Sequence, residues 1–295
     1  MKRDVKDLEK QRSKLYRPSV LKEVLETYGF SFTKSLGQNF LIDGNIIHKI
    51  IEGAGITKED NVVEIGTGIG TLTQELSLTS KHVLAFEIDR TLEPILQDTL
   101  RDCTNTDIVF EDVLKADLKK EVEEVFGQEP FKVVANLPYY VTTPILGRLL
   151  EEGLNITSIT VMLQKEVGER MVAKPGTKDY GALSVFIQFF TTPMMVTKVP
   201  KTVFLPKPKV DSIVVTMKVK EPVIGIEGEK FFKIVKGAFS KRRKTIINAL
   251  STYGLPVEKE DIRRALEKSN ILESRRGEEL SVEEFIVLTI NFPDW

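Results

Sequence analysis

Cysteine is nearly missing from this chain: Cys103 is the only one among 295 residues. No intrachain disulfide can form, which excludes a small scaffold held together by bridges. Histidine is almost as scarce. His48 and His82, even with Cys103, cannot supply the usual zinc frameworks, and no metal is expected. No apolar run comes near the roughly 20 residues that cross a bilayer, so no membrane partner is expected. The opening "MKRDVKDLEKQRSK" is charged and lacks the apolar stretch of a secretory signal. With the lone cysteine, this points to a reducing, cytoplasmic setting. Excess charge is missing as well: the formal net charge is −1, which by itself argues weakly against a nucleic-acid partner.

That average conceals basic stretches. "FFKIVKGAFSKRRKTIINAL" carries Lys233, Lys236, Lys241, Arg242, Arg243 and Lys244 without one acid. Between Met195 and Lys220, six lysines stand against Asp211 alone. Acids collect instead in segments such as "KKEVEEVFGQE". A neutral chain can therefore present basic faces.

The apolar pattern sets the organisation. "SVLKEVLETYG" reads as a short amphipathic helix with Ser19 as N-cap and Gly29 as its stop. "FSFTKSLGQNFLID" is irregular, and "NIIHKIIEGAG" has helical spacing behind the cap Asp43. Then short β-branched runs ("NVVEIG", "KHVLAFEID", "TDIVFED", "FKVVANLP", "SITVMLQ") alternate with helical segments, which implies a parallel sheet covered on both faces. Beyond Gln164, "ALSVFIQFF" and "DSIVVTMKV" read as two consecutive strands, an antiparallel addition to that sheet. "KEPVIGIEGE" reads as a linker, and the segments after it as helices, with "SKRRKTIINAL" inside one of them. The expected division is a catalytic domain at 1–221, with a helical extension at 1–34, and a helical domain at 222–295.

At the first strand–helix junction, "VVEIGTGIGTLT" places Gly66, Gly68 and Gly70 behind Glu64. Glycine there lets backbone approach a ligand, and a helix N-terminus favours anionic groups. The spacing is G-x-G-x-G rather than the G-x-G-x-x-G of dinucleotide enzymes, and it is typical of S-adenosylmethionine-dependent methyltransferases. Glu87 ends the next strand, where a carboxylate accepts ribose hydroxyls. Asp112 ends the third, where an acid meets an adenine amino group. A bare glycine motif also fits a simple tight turn; the two acids at consecutive strand ends favour the cofactor.

"NLPYY" follows the fourth strand. An adenine amine is a poor nucleophile because its lone pair is delocalised into the ring. Acceptors aimed at its hydrogens favour the tetrahedral nitrogen that attack requires. The side-chain oxygen of Asn136 and the carbonyl of Leu137 suit that task, and Pro138 fixes φ and so the carbonyl's place. Tyr139 can stack on a base, worth about 1–3 kcal/mol. Tyr140 reads equally as a core or a substrate residue. Phe204, in "FLPKPKVDS", can close the second face of a flipped base or pack under its loop. The cations after Ser240 suit phosphates or a solvated helix face.

Together "SLGQNFLID", "VVEIGTGIGTLT", "AFEID", "FED", "NLPYYVTTPIL", "FLPKPKVDS", "AFSKRRKT" and "RRGEELSVEEF" resemble the ribosomal RNA adenine N6,N6-dimethyltransferase family over nearly the whole chain. The resemblance implies an α/β fold: a Rossmann-like class I methyltransferase domain with a mostly parallel sheet, plus a small all-α C-terminal domain. It implies S-adenosyl-L-methionine as cofactor, contacted by Gln38, Asn39, Leu41, Gly66, Gly68, Glu87, Asp112 and Asn136. The catalytic set is Asn136, Leu137, Pro138, Tyr139 and Phe204. RNA contacts fall to Lys207, Lys209, Lys241, Arg242, Arg243 and Lys244. The implied reaction is dimethylation of N6 on two adjacent adenosines in the 3′-terminal hairpin of small-subunit (16S) rRNA, on an immature 30S subunit, by a monomer. The alternatives are a large-subunit (23S) adenine methyltransferase of the macrolide-resistance type and an assembly factor with vestigial catalysis.

Overall fold

The structure, a computed structural model, describes residues 14–33 and 36–295. Residues 1–13, 34 and 35 of the expected N-terminal extension lie outside them. The chain divides into two compact units, Met1–Lys165 with Met195–Lys218, and Glu166–Met194 with Val219–Trp295. Sequence reasoning set one break at 221/222. The structure puts that break at 218/219 and adds two more, at 165/166 and 194/195, because segment 166–194 groups with the C-terminal helices.

In the first unit, α1 (Pro18–Thr27) and β1 (Phe40–Leu41) precede a regular alternation. It runs α2 (Gly44–Ala54), β2 (Asn61–Ile65), α3 (Thr71–Thr79), β3 (His82–Phe86), α4 (Glu93–Thr99), β4 (Thr106–Val109), α5 (Leu118–Phe126), β5 (Phe131–Asn136), α6 (Thr142–Glu151) and β6 (Ile156–Gln164). β7 (Thr191–Val199), β8 (Phe204–Leu205) and β9 (Ser212–Val219) follow. The main sheet has the order β4-β3-β2-β5-β6-β9-β7. β2 to β6 pair in parallel, and β9 joins β6 antiparallel. β2 is buried along its whole length, as a parallel strand covered on both faces should be.

Two apolar clusters pack helices of this unit. α2 is capped by Asp43, whose carboxylate accepts the amides of Asn45 and Ile46. It buries Ile46, Ile47, Ile50 and Ile51 against Val62, Val83 and Val134 of the sheet. Each such side chain contributes roughly 1.5–3 kcal/mol. On the other core, Leu21 and Leu25 of α1 join Ile95, Leu96, Leu100 and Cys103. The lone cysteine thus serves as a small buried apolar residue. Ser19 does not cap α1. Pro18 occupies the first turn, where its missing N–H costs nothing, and Arg17 is the N-cap.

In the second unit lie α7 (Lys165–Met171), α8 (Ala182–Phe190), α9 (Gly228–Phe239), α10 (Ile246–Ser251), α11 (Lys259–Lys268) and α12 (Val282–Asn291). "ALSVFIQFF" is therefore helix α8, and the strand expected there is displaced to Thr191–Val199. A continuous apolar run suits either structure. Here Ser184 Oγ accepts the Gly181 amide at the N-terminus, and Phe189 stacks on Phe231 with centroids 4.3 Å apart, so helical packing wins. The motif "RRGEELSVEEF" is largely a folding device. Ser281 and Glu284 form a reciprocal cap for α12, and Arg275 grips the same Glu284 carboxylate through both terminal nitrogens.

Candidate active site

Strand order reverses between β2 and β5, with β3 and β4 on one side and β6 on the other. In an open α/β sheet the crevice lies there, at the carboxyl ends. A cleft of about 1310 Å³, counting space open to solvent, occupies that place within the first unit. All of Gln38, Asn39, Leu41, Gly66, Gly68, Glu87, Asp112 and Asn136 line it, together with Leu137, Pro138, Tyr139 and Phe204.

The glycine turn shows why glycine stands there. Gly68 has φ of +56°, and a Cβ on it would sit 3.0 Å from the Phe40 ring. Gly70 has φ of +89°, and its Cβ would meet Leu100 at 2.9 Å. Larger residues would be strained there and would crowd Phe40 or Leu100. Gly66 faces the end of β5, where an added Cβ would lie 3.8 Å from the Asn136 carbonyl.

Glu87 locks this turn. Its Oε2 accepts the Gly68 amide at 2.9 Å and the Thr67 hydroxyl at 3.1 Å, and its Oε1 accepts the Asp89 amide at 2.9 Å. A carboxylate oxygen accepts about two donors, so Oε1 keeps one direction for an incoming hydroxyl. Burial raises the Glu87 pKa above the ordinary carboxylate value, while the donors from Asp89, Gly68 and Thr67 oppose the rise. Asp112 uses Oδ1 for the Leu114 amide at 3.0 Å, which leaves Oδ2 available. Thr71, at the start of α3, lines the cleft and is buried, and its hydroxyl has no partner among the described residues.

Gln38 lines the cleft and is also tied into its wall. Its Oε1 accepts the Thr33 amide at 2.9 Å, and its Nε2 donates to Asp89 Oδ2 at 2.6 Å. The side chain therefore braces the segment before β1 against the turn after β3. Asn39 donates Nδ2 to the Gly37 carbonyl, and its own carbonyl accepts Asn136 Nδ2 at 3.2 Å. β1 and β8 pair antiparallel, which places Leu41 opposite Phe204. Phe204 lines the cleft and also belongs to the apolar core.

At "NLPYY" the backbone is committed in a telling way. The Leu137 amide donates to the Met162 carbonyl at 3.1 Å. The Pro138 carbonyl accepts both the Val141 amide and the Thr142 hydroxyl. No group among the described residues bonds to the Leu137 carbonyl. With Asn136 Nδ2 taken by Asn39, Asn136 Oδ1 is likewise an open acceptor. Tyr139 is half-buried, and Tyr140 is 58 % exposed at the cleft. Tyr140 is thus no core residue.

Sequence reasoning missed Phe40, Thr67, Thr71, Ile88 and Val113, all in the cleft wall. Thr67 and Thr71 belong to the glycine motif and Ile88 follows Glu87, so adjacency was the available signal. The cations after Ser240 do not lie on a helix. Lys241–Lys244 form an exposed turn between α9 and α10, closed by a bond from the Lys244 amide to the Lys241 carbonyl. Arg242 donates to the Lys178 carbonyl at 3.2 Å and faces Glu278 at 3.6 Å. Lys207 and Lys209 are exposed.

A mostly parallel sheet whose leading strand runs into a glycine turn, with acids waiting beyond the next two strands, frames a Rossmann-like class I methyltransferase. Two solved structures share the architecture. A dimethyladenosine transferase from Plasmodium falciparum superposes with TM-score 0.72 at 26 % identity, over 84 % of this chain and 95 % of that one. The 23S rRNA methyltransferase ErmE does so with TM-score 0.65 at 27 % identity, over 86 % and 99 %. The family model for ribosomal RNA adenine dimethylase matches residues 29–291, and the chain belongs to that family. One relative, the ribosomal RNA small subunit methyltransferase A of Alkaliphilus oremlandii, is 51 % identical over 93 % of this chain and 96 % of its own length.

Proposed function

We propose that this enzyme transfers methyl groups from S-adenosyl-L-methionine to N6 of two adjacent adenosines in the 3′-terminal hairpin of 16S rRNA, during small-subunit maturation in the cytoplasm. The observation that carries the reading is the pair of open acceptors at the cleft, Asn136 Oδ1 and the Leu137 carbonyl. A planar amine with two N–H groups matches that pair. The small-subunit relative is much nearer in sequence than the 23S enzyme, which favours the small subunit over the resistance-type alternative.

The residues of the cleft fit the cofactor. Glu87 Oε1 can accept a ribose hydroxyl, Asp112 Oδ2 an adenine amine, and the unpartnered Thr71 hydroxyl a polar group of the amino-acid end. Gly66 and Gly68 leave room for a ligand against backbone. When bound, the cofactor supplies an electrophilic methyl on a sulfonium. Asn136 and Leu137 draw the amine hydrogens out of the ring plane and localise the nitrogen lone pair. Tyr139 and Phe204 hold the base. The rate advantage lies in positioning and fixed dipoles. An obligatory general base is not required, since the amine proton becomes acidic as the new bond forms.

Methyl transfer from labelled cofactor to unmethylated small subunits and to 23S rRNA, with the product nucleotides mapped, tests the reading. Two adjacent N6,N6-dimethyladenosines in the 16S hairpin are expected; label in 23S rRNA, or none, would overturn it.

The exposed turn Lys241–Lys244, with Lys207 and Lys209, is assigned to RNA phosphates. Neutralising Lys241, Arg242 and Arg243 together is expected to weaken RNA binding and to flatten the log K against log salt slope. The change should be about 1 for each phosphate no longer neutralised. Arg242, already facing Glu278, should contribute least. An unchanged slope would return the turn to a solvated surface feature.

A further inference from the structure

Tyr139 is held by a residue outside the cleft. Its hydroxyl lies 2.9 Å from Ser212 Oγ. Ser212 is fully buried and opens β9 opposite Gln164 of β6. The preceding Asp211 accepts the Lys165 amide at its carbonyl (3.0 Å) and the Lys201 amide at its carboxylate (2.9 Å). The hydroxyl is therefore mounted on the sheet, while the ring it holds forms part of the cleft wall. A tyrosine fixed only at Cα can swing its ring. One fixed at both ends offers a base a single stacking plane.

We propose that Ser212 is a positioning residue that acts through Tyr139 and matters most for the second methyl transfer to one nitrogen. This rests on adenine dimethylation as the function. In each transfer the N6 lone pair forms the new N–C bond, the donor S–C bond breaks with its pair left on sulfur, and one N6 proton leaves to solvent. Before the first transfer the amine has two N–H groups, and Asn136 Oδ1 and the Leu137 carbonyl can engage both. Before the second it has one. A hydrogen bond to the base is gone, and the pose depends more heavily on stacking against Tyr139. Loosening that ring must then slow the second step more than the first.

The experiment follows product ratio on unmethylated small subunits, after digestion to nucleosides. Ser212→Ala and Tyr139→Phe are each expected to lower the ratio of dimethyl- to monomethyladenosine by about fivefold, the worth of one net hydrogen bond. The double variant should be no worse than either single one, because both remove the same hydrogen bond. Cofactor affinity by calorimetry should stay at the wild-type value. An unchanged ratio in the single variants, or additive losses in the double, would overturn the assignment. If Ser212→Ala does not fold, Tyr139→Phe probes the same hydrogen bond from its half-buried side, and an unchanged ratio there is equally fatal. Failure of the unaltered protein to make dimethyladenosine would instead strike the function on which the inference rests.

Discussion

Asn136→Ala is expected to cut methyl transfer by at least about 10²–10³-fold, the usual loss when one preorganised polar group at a reacting centre is removed. The reason lies in how the amide is held. Asn136 is the last residue of β5, paired with Met162 of β6, so its backbone belongs to the sheet. Its Nδ2 is spent on the Asn39 carbonyl, which turns Oδ1 into a fixed acceptor rather than a rotating one. Alanine removes half of the acceptor pair and frees the Asn39 carbonyl. The fold should lose only about 1 kcal/mol, since one hydrogen bond of a half-buried residue is deleted. RNA retention should hardly change, because the exposed cations are untouched. Single-turnover rates at saturating cofactor, with a thermal melt and filter binding alongside, separate these effects. Near-normal turnover in a folded variant would remove Asn136 from the chemistry.

Much of this site was legible because strand ends are legible. The runs "NVVEI", "HVLAF" and "FKVVAN" announce their own boundaries, and a doubly wound sheet forces whatever follows each strand toward one edge. Gly66, Glu87, Asp112 and Asn136 could therefore be placed in one crevice from the sequence alone. What stayed hidden depends on pairings distant along the chain. Gln38 is legible as a cleft residue, but its bonds to Thr33 and to Asp89, the latter 51 residues away, are not. Ser212 was part of a recognised motif without a reason, because its partner Tyr139 lies 73 residues earlier. The helix–strand exchange at Ala182–Phe190 has another cause. Apolar residues at nearly every position erase the period that separates the two structures, and the aromatic packing with Phe231 and Phe232, with the Ser184 bond to the Gly181 amide, decides it. The basic turn was drawn as helix because lysine and arginine are good helix formers, whereas the chain needs a corner there to bring α10 back against α9.

Glu64 supports the largest expected stability effect. It sits within β2 with no exposed surface, and among the described residues neither carboxyl oxygen has a hydrogen-bond partner. Burial, with the nearby Glu87 charge adding to it, pushes its pKa from 4.5 up to about 8; the Thr73 hydroxyl opposes the rise without reaching bonding geometry. Near neutral pH the folded protein therefore holds Glu64 as a neutral acid, while the unfolded chain has released the proton. Below pH 4.5 both states are protonated and the residue costs nothing on this account. Between pH 4.5 and about 8 its contribution turns progressively unfavourable, by about 1.4 kcal/mol per pH unit. Above that range the penalty levels off at about 5 kcal/mol. Glu64→Gln keeps the shape and removes the titration. The stability of the variant relative to wild type should therefore rise by most of that amount between pH 5 and pH 9, in urea melts at matched ionic strength. Any fixed cost of the buried amide cancels in the comparison, since it is the same at every pH. A difference that stays flat across the range would mean that Glu64 is ionised in the folded state. A neutral Glu64 also serves the site: it spares Glu87 a second buried charge beside it, and so keeps the Glu87 carboxylate able to hold the Gly68 amide and receive a hydroxyl in the same crevice.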